Sequence, residues 1–268
     1  MKKIILCEGD SWTAGDIIDP DLDITYVNAK ENDSYRLTKV WPHKLGKLLD
    51  IEVWNTAVAG CSNDAIVRRI VENTFKLLDD YKPEEIFVIV GWSSPERKDF
   101  YFDDGNDNYW QTFYPYEITD PQQLSQKPKD QQEFFKSYIK YYWNKEEYFS
   151  RYIHNNLYLH YFLKGNNIQH MFFDAFYQTE FGHHHNYEMR TDGVATEHKF
   201  LEITKDIYKN TSFKNFMIDY RSGIGKASDR RYDFKQGLFS KDNSHPSENA
   251  HQLWAEELFK DLKGKINA

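Results

Sequence analysis

Residues 3–13 read KIILCEGDSWT. Lys3 to Cys7 form a short, nearly continuous apolar run, the pattern of a strand buried on both faces of a parallel sheet. It breaks at Gly9-Asp10-Ser11. Either the chain turns there, or it lifts a serine hydroxyl to the carboxyl end of the strand, where open α/β sheets bind their ligands. Similar runs recur at residues 51–55 (IEVWN), 86–91 (IFVIVG), 170–175 (HMFFDA) and 215–220 (NFMIDY), and each reads as a further strand. Residues 41–49 and 62–78 carry apolar side chains at three- and four-residue spacing, with Ser62 placed as an N-cap for the second. A last helix is expected over 247–262, burying Ala250, Leu253, Trp254 and Leu258. Strands alternating with helices predict an α/β fold, a parallel sheet covered on both faces.

The chain has 268 residues, enough for one α/β domain with a sizeable core. We expect a single domain over 1–268 with an insertion at about 98–165. Acidic residues (42) exceed basic ones (34), the net charge is −8, and no dense Lys/Arg run offers a patch for phosphates, so nucleic acid is not an expected partner. The few apolar residues after Lys2 and Lys3 are too few for a signal-peptide core, and no stretch has membrane-spanning length; the expectation is a non-exported, cytoplasmic protein with no membrane partner. Cys7 and Cys61 give neither a disulfide framework nor metal-ligand spacing and read as small buried side chains. Twenty aromatic residues fall between Phe100 and Phe162. Residues 98–130 read as a polar lid or specificity loop with scattered aromatics. From Gln131 to about Lys164 the aromatics recur at helical spacing, the buried stripe of one or two helices.

Four segments lie where a parallel sheet would gather ligands: Gly9-Asp10-Ser11-Trp12, then 55–63 (NTAVAGCSN), then 91–97 (GWSSPER), and 242–246 (DNSHP) before the last helix. Ester hydrolysis needs a nucleophile, a base, a group that orients the base, and donors for the oxyanion. Ser11 is the candidate nucleophile and His245 the base. Asp242, three residues earlier in the same loop, is placed to accept the other ring N–H. The N–H groups of Ser11 and Gly60 are candidate oxyanion donors, and Trp12, Asn63, Trp92 and Arg97 candidate substrate contacts.

With these residues assembled, the sequence resembles the SGNH hydrolases, or GDSL-type esterases. Gly9-Asp10-Ser11 is similar to the family's first block, Gly60 within NTAVAGCSND to the second, and Asp242-x-x-His245-Pro246 to the last; the second block with the preceding WPHKLGKLL is similar to the carbohydrate acetylesterase branch. The resemblance implies a three-layer α/β/α sandwich with about five parallel strands and a cofactor-free esterase. Its substrate would be a small-molecule or glycan ester, with an acetyl group on a carbohydrate expected. The third block departs from the pattern: the family has Gly-x-Asn, its amide donating to the oxyanion, where this chain has Gly91-Trp92-Ser93, leaving Ser93 as the candidate donor.

Each residue also has a structural reading. Ser11, Asp242 and His245 suit helix caps, Gly60 suits a positive-φ turn, and Arg97 suits a salt bridge. His183-His184-His185 reads as an exposed loop, because adjacent side chains diverge, and no metal is expected. Trp110, Tyr114 and Tyr116 suit either sugar stacking or loop packing. Two rival functions remain: a catalytically silent glycan-binding or structural module, and an O-acyltransferase using the same triad.

Overall fold

The structure, a computed structural model, describes residues 3–16, 18, 33–103, 108–115, 124–125, 127–176, 202, 205–209, 211–217, 237–240 and 245–266. In chain order its elements are β1 (Ile4–Gly9), α1 (Ser11–Ala14), α2 (Asp33–Lys39), α3 (Trp41–Leu49), β2 (Glu52–Asn55), α4 (Asn63–Leu78) and β3 (Ile86–Trp92). There follow β4 (Lys98–Asp103), β5 (Asn108–Phe113), α5 (Lys129–Tyr141), α6 (Lys145–Gly165), β6 (Gln169–Asp174) and α7 (Glu248–Leu262).

Four strands form a parallel sheet in the order β2-β1-β3-β6. Residues 207–209 add a parallel bridge, Phe172 to Tyr208, at its edge. Side chains alternate across the sheet as the strand pleat requires. Ile5, Cys7, Ile89, Met171 and Phe173 face α3 and α7, packing on Trp41, Leu45, Trp254 and Leu258. Ile4, Leu6, Val88, Val90 and Phe172 face α4 and α6, packing on Ile66, Ile70, Leu159 and Leu163. The result is three layers; β3 is apolar throughout, and β1 from Ile4 to Cys7, because both faces of each are covered. Going outward from β1, β2 lies on one side and β3 on the other, so the connections diverge between β1 and β3 and open a crevice at their carboxyl ends.

The helix starts follow the expected chemistry. The Ser62 hydroxyl accepts the Ala65 N–H at 3.1 Å, and Ser247 accepts that of Ala250 at 3.3 Å. Such a cap is worth about 1 kcal/mol. Two sequence expectations are corrected. Residues 215–217, expected in a strand, lie in a helical turn over 213–217, because Ser212 Oγ caps the Asn215 N–H at 3.0 Å and Phe213 and Met217 turn inward together; residues 218–220 fall outside the described residues. The polar loop expected at 98–130 contains instead an antiparallel hairpin, β4 with β5. Its inward face is aromatic: Phe100, Phe102 and Phe113 pack on Phe135 and Tyr138 of α5, with Phe113 stacked on Phe135 at 5.0 Å. The outward face is anchored by Asp99, which accepts from Ser62, Thr112 and Arg68 at 2.6, 2.8 and 2.8 Å. The hairpin is thereby tied to the start of α4, next to the crevice.

Candidate active site

Ser11 begins α1, two residues beyond the end of the strand at Gly9. Asp10 is the N-cap, its Oδ1 accepting the Trp12 N–H at 3.0 Å, and Gly15 closes the single turn with φ of 80°. The turn can fold back so tightly because Gly9 has no side chain: a Cβ there would lie 2.9 Å from the Gly91 carbonyl oxygen of the neighbouring strand. His245 arrives from the far end of the chain. Residues 238–240 brace its segment, with the Ser240 N–H donating to the His245 carbonyl at 2.8 Å and the Ser247 N–H to that of Leu238 at 3.0 Å. The outcome is a His245 Nε2 to Ser11 Oγ distance of 3.0 Å. Asp242, the candidate orienting group, lies outside the described residues, as do Tyr116 and His183 to His185.

Gly60 sits in the loop between β2 and α4 with φ of +77°. That loop is fastened to β1: the Thr56 and Val58 N–H groups donate to the Cys7 and Gly9 carbonyls at 3.0 and 3.2 Å, and the Cys61 thiol donates to the Gly9 carbonyl at 3.1 Å. Beneath it lies Glu8, a buried carboxyl that accepts from Thr56 at 2.6 Å and pairs with Arg69 at 3.3 Å. Burial pushes Glu8 up to about 7, against the opposing pull of Arg69 and its hydrogen bonds. Above the loop, the Tyr114 hydroxyl, delivered by the end of β5, donates to the Gly60 carbonyl. Burial also raises the thiols of Cys7 and Cys61, with nearby Glu8 adding to the effect, which leaves both protonated and unreactive.

At position 93 the Ser93 hydroxyl donates to Asp10 Oδ2 at 3.0 Å and accepts from Arg97 Nη1 at 2.8 Å. Arg97 Nη1 also pairs with Asp10 Oδ2 at 3.2 Å and reaches the Cys61 carbonyl at 3.4 Å. Burial pushes the Asp10 carboxyl up, opposed chiefly by Arg97. Breaking such a buried pair by removing one partner typically costs about 3–5 kcal/mol.

Three of the expected substrate contacts are placed elsewhere. Trp92 is fully buried, because Val88, Val90 and Trp92 share one face of β3 and the indole packs on Tyr152 and Phe172. Trp12 is a core side chain against Phe176 and Phe213. Asn63 is buried and spends both ends of its amide on the Ser93 main chain, at 2.8 and 3.0 Å, which fixes the strand end rather than reaching outward. Arg97 stays at the crevice. Trp110 is half-exposed on the hairpin, with the Arg68 guanidinium 3.9 Å from its ring and Tyr101 beside it at 5.2 Å. Glu8 and the Tyr114 contact with Gly60 went unrecognised in the sequence. Glu8 alone carried a signal, a charge inside an otherwise apolar strand.

A sequence profile of one family, described as a family of unknown function (DUF6071), matches residues 25–262. The chain belongs to that family. No curated protein matches the sequence significantly. Among solved structures, this DUF6071 member is similar to the psychrotrophic esterase EstA from Pseudoalteromonas sp., inhibited by monoethylphosphonate, at 17% identity over 100% of both chains with a TM-score of 0.47. It is similar to a carbohydrate esterase described as having divergent catalytic and non-catalytic binding functions, at 13% identity over 98% of this chain and 69% of that one, TM-score 0.48. It is also similar to a member of the lipolytic protein G-D-S-L family from Veillonella parvula DSM 2008, at 12% identity over 96% and 97%, TM-score 0.43. Among the described residues, no helix is long and apolar enough to cross a membrane.

Proposed function

We propose that this protein is a serine esterase that removes a small acyl group, acetyl in the first instance, from a carbohydrate ester through an acyl-enzyme. The observation that carries the reading is the 3.0 Å pairing of Ser11 Oγ with His245 Nε2 at the carboxyl end of β1. Two residues 234 apart in the chain meet as nucleophile and base. Ser11 Oγ attacks the acyl carbon while His245 Nε2 takes its proton, and the carbonyl π pair moves onto oxygen. The Ser11 and Gly60 N–H groups hold that oxyanion. Return of the pair breaks the bond to the alcohol, which leaves with the proton from His245; water then repeats the sequence and frees Ser11. Asp242 is assigned to orient His245 through the second ring nitrogen.

The carbohydrate part rests on the half-exposed Trp110 and Tyr101 on the hairpin tied to α4, and on the likeness of 55–64 to the acetylesterase branch. A fluorophosphonate probe tests the chemistry: it should label Ser11 in the wild type and fail in His245→Ala. A folded wild type that takes no label overturns the esterase. A panel of acetylated sugars and p-nitrophenyl esters of graded length tests the substrate, and Trp110→Ala should raise KM for acetylated oligosaccharides more than for p-nitrophenyl acetate. The second reading is a catalytically silent module. It is favoured by one feature, the Ser93 proton committed to Asp10, and the same probe decides against or for it.

A further inference from the structure

Asp10 is fully buried and adjacent in sequence to Ser11, so negative charge on an acyl oxygen would develop beside an existing carboxylate. In a dry site two such charges repel strongly. The local chemistry offers one counterweight. Arg97 uses a single nitrogen, Nη1, for all its contacts with Asp10, Ser93 and Cys61. Among the described residues its Nε and Nη2 have no acceptor. The side chain is 16% exposed, neither sealed in the core nor free in solvent, and it rests on the Tyr114 and Phe176 rings at 5.3 and 5.4 Å. Its contacts bracket the two N–H donors of the proposed hole: Asp10 immediately precedes Ser11, and Cys61 immediately follows Gly60. The nearby polar side chains are already committed: the Ser93 hydroxyl gives its proton to Asp10, the Tyr114 hydroxyl donates to the Gly60 carbonyl, and the Asn63 amide is spent on the Ser93 main chain.

The geometry points to Arg97 as a third donor to the oxyanion, with Nη1 neutralising Asp10 and the remaining guanidinium edge supplying an N–H and positive charge as the acyl oxygen becomes negative. This assignment rests on the esterase reading above. A charge-assisted donor of this kind acts mainly in the transition state, so its loss should appear in kcat rather than KM.

The test compares Asp10→Asn with the double variant Asp10→Asn/Arg97→Met, measured on whichever ester the wild type turns over. In the Asp10→Asn background the loss of Arg97 leaves no uncompensated buried carboxylate, so folding is protected. The expected result is a kcat about 10²–10³ lower in the double variant than in Asp10→Asn, with KM changed less than about threefold. Arg97→Lys in the same background, which keeps the charge but not the fork, should fall between the two. Equal kcat in Asp10→Asn and the double variant would show that Arg97 only neutralises Asp10 and would overturn the assignment. A raised KM at unchanged kcat would overturn it too, making Arg97 a ground-state anchor. A wild type that neither takes fluorophosphonate nor turns over any ester overturns the esterase reading and this assignment with it; a labelled, active wild type with an intact double variant overturns the Arg97 role alone.

Discussion

Gly60→Ala isolates the contact between the inserted hairpin and the proposed oxyanion glycine. At φ of +77° an alanine is held in the left-handed region, which costs about 1–2 kcal/mol. Its Cβ would also overlap the Tyr114 hydroxyl, so the tyrosine must swing away and lose its bond to the Gly60 carbonyl, about 1 kcal/mol more. In a Tyr114→Phe background that bond is already gone. The nearest remaining ring atom, Cζ, lies 3.3 Å from the new Cβ, tight but not overlapping. Gly60→Ala should therefore cost about 2–3 kcal/mol alone and about 1–2 kcal/mol beside Tyr114→Phe, a coupling near 1 kcal/mol that exceeds the ~0.3–0.5 kcal/mol scatter of independent sites. Urea unfolding of the four proteins measures it. Additive costs would refute the placement of Tyr114 on Gly60. Kinetics on the same set should show kcat falling with Gly60→Ala, up to about 10²–10³, because the Gly60 N–H is displaced from the oxyanion.

Ser11→Ala and His245→Ala should each remove nearly all turnover, and the double variant should be little worse, because the two act as a unit; additive losses would break the pairing. Asp242→Asn should cost less than Ser11→Ala, since it disturbs orientation without removing a reacting atom, and an unchanged rate would assign another group to His245. Acid should destabilise the fold through two histidines, the buried His251 and the partly buried His170. Burial holds His251 down to about 3 and His170 to about 4, so below the ordinary 6.5 the unfolded chain binds protons the folded one does not. Stability then falls as pH drops from about 6.5 toward 4, by at most about 1.4 kcal/mol per pH unit for each histidine, and His251→Asn should flatten the fall in urea midpoints. Glu8, raised to about 7, acts in the opposite sense, its share being lost as pH climbs from about 4.5 through 7. Glu8→Gln should leave a steeper histidine-driven slope in that window, and an unchanged slope would mean that Glu8 stays ionised against Arg69.

What the sequence made legible here follows from how far apart the deciding contacts lie. The strands β1 and β3 read directly, because burial on both faces leaves an uninterrupted apolar run whatever the partners are. The crevice followed from them, since a parallel sheet puts its strand ends, and hence Ser11, Gly60 and Arg97, at one edge. Residues 215–217 misled because a short apolar run does not distinguish helix from strand, and the deciding Ser212 cap is a single hydroxyl. The hairpin was hidden because both of its faces carry aromatic residues, Phe100, Phe102 and Phe113 on one and Tyr101 and Trp110 with Asp99 on the other, so no apolar/polar alternation marks it until α5 gives the first face a surface. A place at a strand end makes Trp92 a candidate site residue, yet the pleat that puts Val88 and Val90 in the core carries it there too. The pairing of Asp10 with Arg97 spans 87 residues and carries no periodic signal at all. Backbone topology thus brings the candidate site residues to one place by rules readable in local pattern. The electrostatic balance around them depends on side chains meeting across the fold: position along the chain offers Ser93 as a donor and Arg97 as a substrate contact or salt bridge, but only the contact of both with Asp10 shows where the Ser93 proton goes and which carboxylate Arg97 pairs with.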